Sequence, residues 1–143
     1  LWSVERRASR DPGWHRTGDV GYLDDLGRLW IAGRLAHVIT TPDGPLAPVG
    51  IEQHVGALAG IEAAACVGVG PTGTQQVVIV VVTTDHHHGR GPLADAALFE
   101  QVRSVVDVPI VAVLVRRRLP VDIRHNTKID RTLVSEWAGA VLS

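Results

Sequence analysis

Residues 77–82 read VVIVVV, an uninterrupted apolar run in which every side chain is β-branched. Such side chains lose rotamer freedom in a helix and pack well on a pleated surface, so the run dictates a strand and therefore a sheet. VPIVAVLV at 108–115 is likewise strand-length. Both fall short of the roughly 20 residues that a helix needs to cross a bilayer. The opening LWSVERRASRDPGW lacks the apolar core of a signal peptide. No transmembrane segment and a cytoplasmic location are therefore expected.

Strands are predicted at 61–69, at 76–84 and over Ile110–Val115. Between and around them lie helical patterns. Ile51, Val55 and Leu58 share one face of a short helix, and Leu93–Val106 presents Ala94, Leu98, Val102 and Val105 on one side. Asp130–Val141 reads as a last helix with Leu133, Trp137 and Val141 as its stripe. Upstream, Val20–Leu23 and Arg28–Ile31 are short strands joined by the turn Asp24-Asp25-Leu26-Gly27. Ala36–Thr40 reads as a further strand, followed by a turn at Pro42-Asp43-Gly44. The fold class is α+β: a small three-stranded sheet with flanking helices, preceded by a separate β-hairpin.

At 45% hydrophobic and 20% charged residues, the composition is that of a folded globular chain. A net charge of -1 excludes a general nucleic-acid binder. Arg116-Arg117-Arg118 is read as a solvated strand end, and Cys66, inside AAACVGV, as a buried small hydrophobe. GVGPTG at 68–73 matches a dinucleotide-binding pattern, but a strand follows it where the fingerprint requires a helix, so a hairpin loop is expected. His86-His87-His88 are adjacent and do not converge on one ion, so no metal site is assigned. The chain begins with Leu1 and contains no methionine, and its first thirty residues start without a cap or opening turn. The expectation is a distal part of a longer reading frame, or a processed piece.

Lys128 is the only lysine among 14 Lys and Arg residues. It lies in the segment Asn126-Thr127-Lys128-Ile129-Asp130-Arg131. This segment resembles the terminal GKIDR-type motif of the adenylate-forming superfamily, which includes acyl-CoA synthetases and luciferases. Three stretches upstream match the same family in order. Arg16-Thr17-Gly18-Asp19 resembles its RTGD motif, Gly33-Arg34 its GR motif, and Pro48-Val49-Gly50-Ile51-Glu52 its PxEIE stretch.

The resemblance implies that residues 1–35 are the terminal hairpin segment of a large AMP-binding domain and that 36–143 form a mobile C-terminal lid. It assigns ribose binding to Asp19, sugar and phosphate contacts to Arg34, catalysis to Lys128, and the hinge to the neighbourhood of Ala36. ATP with Mg2+ is the implied cofactor set. The implied partners are the N-terminal AMP-binding domain and a fatty-acid-derived carboxylate. The residue types suit these roles. A carboxylate accepts from both ribose hydroxyls, a guanidinium is an always-charged fork, and a compact ammonium can bridge a carboxylate and a phosphate as two anions meet.

Departures from the family pattern narrow the reading. Ala36 is uncharged where many members carry an acidic or lysine hinge residue. The loop beside the pantetheine tunnel is replaced by Thr40-Thr41-Pro42-Asp43-Gly44-Pro45. Both weigh against thioester formation. His125-Asn126 ahead of Thr127-Lys128, and the loop Thr41-Pro42-Asp43-Gly44-Pro45, resemble the olefin-biosynthesis β-lactone synthetases. That branch implies activation of a long-chain 2-alkyl-3-hydroxy acid as an acyl-AMP, closed by its own hydroxyl. The alternatives are a long-chain fatty-acid CoA ligase and a non-catalytic or stand-alone lid module. The chain alone is expected to be inactive, because the family's phosphate loop and metal-binding acid lie in the large domain.

Overall fold

The computed structural model describes residues 13, 16–85, 91–123 and 128–143. Its elements in chain order are β1 (Asp19–Leu23), β2 (Leu29–Arg34), a 3-10 turn (Leu35–His37), β3 (Ile39–Thr41), β4 (Gly44–Leu46), α1 (Pro48–Gly56), β5 (Ile61–Val69), β6 (Gln76–Thr83), α2 (Ala96–Arg103), β7 (Ala112–Val115) and α3 (Arg131–Leu142). His86-His87-His88 and Asn126-Thr127 lie outside the described residues. No described helix is long and apolar enough to cross a membrane.

β6 is the centre of a three-stranded sheet ordered β5-β6-β7. It pairs antiparallel with β5, Cys66 opposite Ile79, and parallel with β7, Val78 opposite Ala112. α2 supplies the crossover that a parallel pair requires. Every residue from Val77 to Val82 is at most 3% exposed. On one face Val77, Ile79 and Val81 pack with Val55 of α1 and with Leu98 and Val102 of α2. On the other, Val78 and Val80 pack with Val134 and Ala138 of α3. Helices on both faces explain why the run shows no alternation, since neither face of the strand meets water.

GVGPTG is the loop joining β5 to β6, and Cys66 is buried, both as expected. Several boundaries shift for local reasons. α2 begins at Ala96, because Leu93 bridges Leu114 and the Ala94 N–H donates to the Val113 carbonyl, which keeps this stretch extended along β7. The Asp95 side chain then accepts from the Leu98 N–H at 2.8 Å and caps the helix. Asp130 caps α3 in the same way through the Leu133 N–H.

The buried stripe of α3 agrees with expectation at Trp137 and Val141, which pack against the core, and differs at Leu133, which is 49% exposed, while Val134 and Ala138 are fully buried. The helix approaches over small residues: a Cβ on Gly139 would lie 3.6 Å from Val69. The expected strand over Ala36–Thr40 is also corrected. Its first residues form the 3-10 turn, and only Ile39–Thr41 pairs, with Gly44–Leu46, making a second hairpin. Gln75 fastens that hairpin to the sheet: its Oε1 accepts from the Thr40 N–H at 2.8 Å, and its own N–H donates to the Thr40 carbonyl.

Arg116 corrects the reading of the arginine run as merely solvated. Its guanidinium stacks 4.6 Å from the centre of the Trp137 ring, while Arg117 and Arg118 are exposed.

Candidate functional site

The β1–β2 hairpin is organised by one carboxylate. Asp24 accepts from the Leu26 and Arg28 backbone N–H groups, from Arg28 Nε at 2.7 Å and from Trp30 Nε1 at 2.9 Å. The Trp30 indole, then the Arg28 backbone N–H, hold its pKa at about 2 against partial desolvation. Gly27, at φ 73°, closes the turn as expected. Gly21 admits no side chain, because a Cβ there would sit 2.5 Å from the Trp30 carbonyl oxygen.

This register sets Asp19 directly opposite Arg34. Arg34 Nη1 donates to Asp19 Oδ1 and to the Thr17 carbonyl, both at 3.1 Å. The pair is open to solvent, with side chains 31% and 58% exposed respectively. Among the described residues, Oδ2 of Asp19 and the rest of the Arg34 fork carry no hydrogen bond. The structure therefore brings these two predicted residues onto one exposed edge, with an acceptor and donors to spare.

Immediately after β2 the chain turns. The Leu35 N–H donates to the Gly18 carbonyl at 2.8 Å, tying Leu35 to the hairpin. Ile39, four residues on, is 2% exposed and belongs to the core. Ala36 lies between, exposed, in the middle of the 3-10 turn. It lines a cavity of about 200 Å³ with His37, Cys66, Gln75, Arg131 and Ser135. Burial first, then the Arg131 charge, push the His37 pKa below its ordinary value, with Glu52 opposing. Burial also pushes the Cys66 thiol up to about 12, so it is inert as a nucleophile.

Lys128 is exposed. Its backbone is held: the Lys128 carbonyl accepts from the Asp122 N–H at 2.8 Å, Val121 bridges Ile129, and the Asp130 N–H donates to the Pro120 carbonyl at 2.9 Å. No hydrogen bond or ion pair among the described residues joins Lys128 to Asp19 or Arg34.

Sequence reasoning missed one pair. Glu52 and Arg131, 79 residues apart, form a bidentate ion pair with Arg131 Nε 2.9 Å from Oε1 and Nη2 against Oε2. Their side chains are only 10% and 15% exposed. One signal was available. Arg131 opens a helix, where the macrodipole disfavours a cation, so a nearby acid was required.

No protein-family model matches the chain. It is 38% identical over 128 residues to an olefin β-lactone synthetase of Stenotrophomonas maltophilia (strain K279a), a match covering 90% of this chain and 23% of that protein. The chain belongs to the adenylate-forming superfamily. A second olefin β-lactone synthetase, from Xanthomonas campestris pv. campestris, is 36% identical over 134 residues, covering 87% of this chain and 23% of that protein. The chain thus spans about a quarter of the length of these relatives. Its fold is that of ATP-bound MatB from Rhodopseudomonas palustris, with a TM-score of 0.73 at 22% identity over 96% of this chain and 27% of that one. The α+β architecture is that of the C-terminal portion of adenylate-forming enzymes.

Proposed function

We propose that this chain is the closing portion of an ATP-dependent, AMP-forming acyl-adenylating ligase that converts a long-chain 2-alkyl-3-hydroxy acid to a β-lactone. The observation that carries the reading is the exposed Asp19–Arg34 pair, on a chain similar over most of its length to olefin β-lactone synthetases. Asp19 Oδ2 fits a ribose hydroxyl and the unused Arg34 donors fit the adjoining phosphate. No group of three His, Cys, Asp or Glu among the described residues could hold a metal. Mg2+ would be held with the nucleotide by the large domain, where the family's metal-binding acid lies, and this chain's own residues do the following.

In adenylation the substrate carboxylate attacks the α-phosphorus, an O–P bond forms, and the bond to pyrophosphate breaks. Lys128 places its ammonium between carboxylate and phosphate oxygens and holds the charge that gathers there. The substrate's β-hydroxyl then attacks the acyl carbon and loses its proton as the bond to AMP breaks. An intramolecular nucleophile makes a second lid rotation unnecessary, in keeping with the uncharged Ala36 at the hinge. Residues 1–35 would belong to the large AMP-binding domain and 36–143 to the lid that swings Lys128 over the site. The bond from Leu35 to Gly18 and the burial of Ile39 support a boundary near Ala36.

The test begins with the native polypeptide, captured from its source with an antibody against residues 37–143 and supplied with MgATP and a 2-alkyl-3-hydroxy acid. The expected products are AMP and a β-lactone without CoA. A CoA thioester formed only when CoA is added would replace this reading with a fatty-acid CoA ligase, and absence of any adenylation would leave a stand-alone lid. Residues 1–143 alone are expected to show no ATP–pyrophosphate exchange.

A further inference from the structure

We infer that the Glu52–Arg131 ion pair is a positioning device for Lys128, fixing the backbone from which the ammonium is delivered. The inference rests on the proposed role of Lys128. Arg131 is the first residue of α3, three positions beyond Lys128, so whatever anchors Arg131 limits where Lys128 can stand. The anchor is rigid at its far end. Glu52 lies on α1, and its Oε1 also accepts from the Cys66 N–H of β5 at 3.0 Å. One carboxylate therefore ties α1, the core sheet and the start of α3 together.

Around Lys128 the backbone is also held by the Asp122 N–H on the Lys128 carbonyl and by the Asp130 N–H on the Pro120 carbonyl. A fork-to-carboxylate pair constrains direction as well as distance, which a point charge would not. Its near-complete burial shields it from water and salt, so the constraint persists while the lid moves. Arginine opening a helix against the macrodipole is locally unfavourable, and a positioning role accounts for its presence there. Ser135, one turn further along α3, reinforces the same docking by donating to the Gly68 carbonyl at 2.6 Å.

Removing one partner leaves a buried unpaired charge that destabilises the fold by itself, so the informative variant is the double Glu52→Gln with Arg131→Met. Because Lys128 is the sole lysine, 15N-lysine labelling of the 143-residue chain gives a single, residue-assigned backbone amide resonance. In the double variant the heteronuclear 15N NOE of that amide is expected to fall, with the valine amides of β6, labelled separately, unchanged and circular dichroism showing a native fold. In the adenylating polypeptide, kcat for adenylation is expected to fall roughly ten- to hundredfold while the KM for ATP changes less than about twofold, since a misplacement of about 1 Å costs on the order of a hundredfold. Arg131→Lys should fall between. A folded double variant with the Lys128 amide NOE unchanged overturns the inference, as does an unchanged kcat where the wild type adenylates. If the wild-type polypeptide does not adenylate, the function reading fails, and the amide measurement alone still decides whether the pair positions residue 128.

Discussion

The hairpin β1–β2 and the sheet β5–β6–β7 are both antiparallel at their first turn, yet they are held by opposite means. In the hairpin, Tyr22, Leu23, Leu26, Leu29 and Ile31 are all more than half exposed, and order comes from Asp24 and its fan of donors. In the sheet, the side chains of Val77–Val82 are enclosed by helices on both faces. A two-stranded ribbon with an exposed apolar face is marginal by itself, whereas a strand buried on both sides carries its own stability. The exposed pair Asp19–Arg34 stands on the first kind of structure, and the backbone of Lys128 leads into α3, which docks on the second.

Core truncation should separate the two regions most sharply. Ile79→Ala, at a fully buried site, is expected to cost about 2–5 kcal/mol in thermal or denaturant unfolding, while Ile31→Ala, 60% exposed, should stay within about 0.5 kcal/mol. Equal losses would show that the hairpin shares the core's cooperativity. Gly68→Ala comes next. Its new Cβ would lie 2.7 Å from Ile39 Cγ2 and 2.8 Å from Gln75 Cδ, so a loss of about 1–3 kcal/mol is expected. Gly21→Ala meets a backbone oxygen more closely still, but the expected result is a local loss of hairpin resonances with a smaller change in global melting.

Acid should act on the hairpin last. Folding depresses the Asp24 pKa, so its contribution is present above the ordinary carboxylate value and is lost as pH falls through about 2. The Trp30 indole N–H resonance should titrate with that midpoint; a midpoint near 3.8 would show that the carboxylate fan does not persist in solution. His37 gives the smallest effect, at the junction between the regions. Its folded pKa is also depressed, but for a base this means that the unfolded chain binds the extra proton. Stability is then complete above about pH 6.5 and declines as pH falls through the folded value. His37→Gln should flatten the slope of melting temperature against pH between about 7 and 5. Arg131, Glu52, Arg34 and Asp130 also bear on that imidazole, so the slope should depend on the state of the buried ion pair.

Local chemistry in the chain was enough to locate most elements. The β-branched run specified β6, Asp24 through Gly27 specified the first hairpin, and Leu98 and Val102 specified the buried face of α2. The RTGD, GR and KIDR stretches drew attention to Asp19, Arg34 and Lys128 through their resemblance to one family in the same order, since each is contiguous in the chain. Periodicity was inexact where an element's phase is set by its neighbour. The expected Trp137 and Val141 of α3 do pack on the sheet, but the most buried positions are Val134 and Ala138 and not Leu133, because a helical pattern alone does not fix which residue of a face sits deepest. Leu35–His37 turned instead of extending because the Leu35 N–H found the Gly18 carbonyl.

By itself, then, the sequence determined the strand content and the turn chemistry, both of which depend on near neighbours along the chain. Only the tertiary structure decided that Glu52 meets Arg131 across 79 residues, that Arg116 lies on Trp137, and that His37 and Cys66 share a cavity with Ala36. Those meetings depend on how α1 and α3 dock on the sheet, and long-range docking leaves no periodic trace in the order of residues.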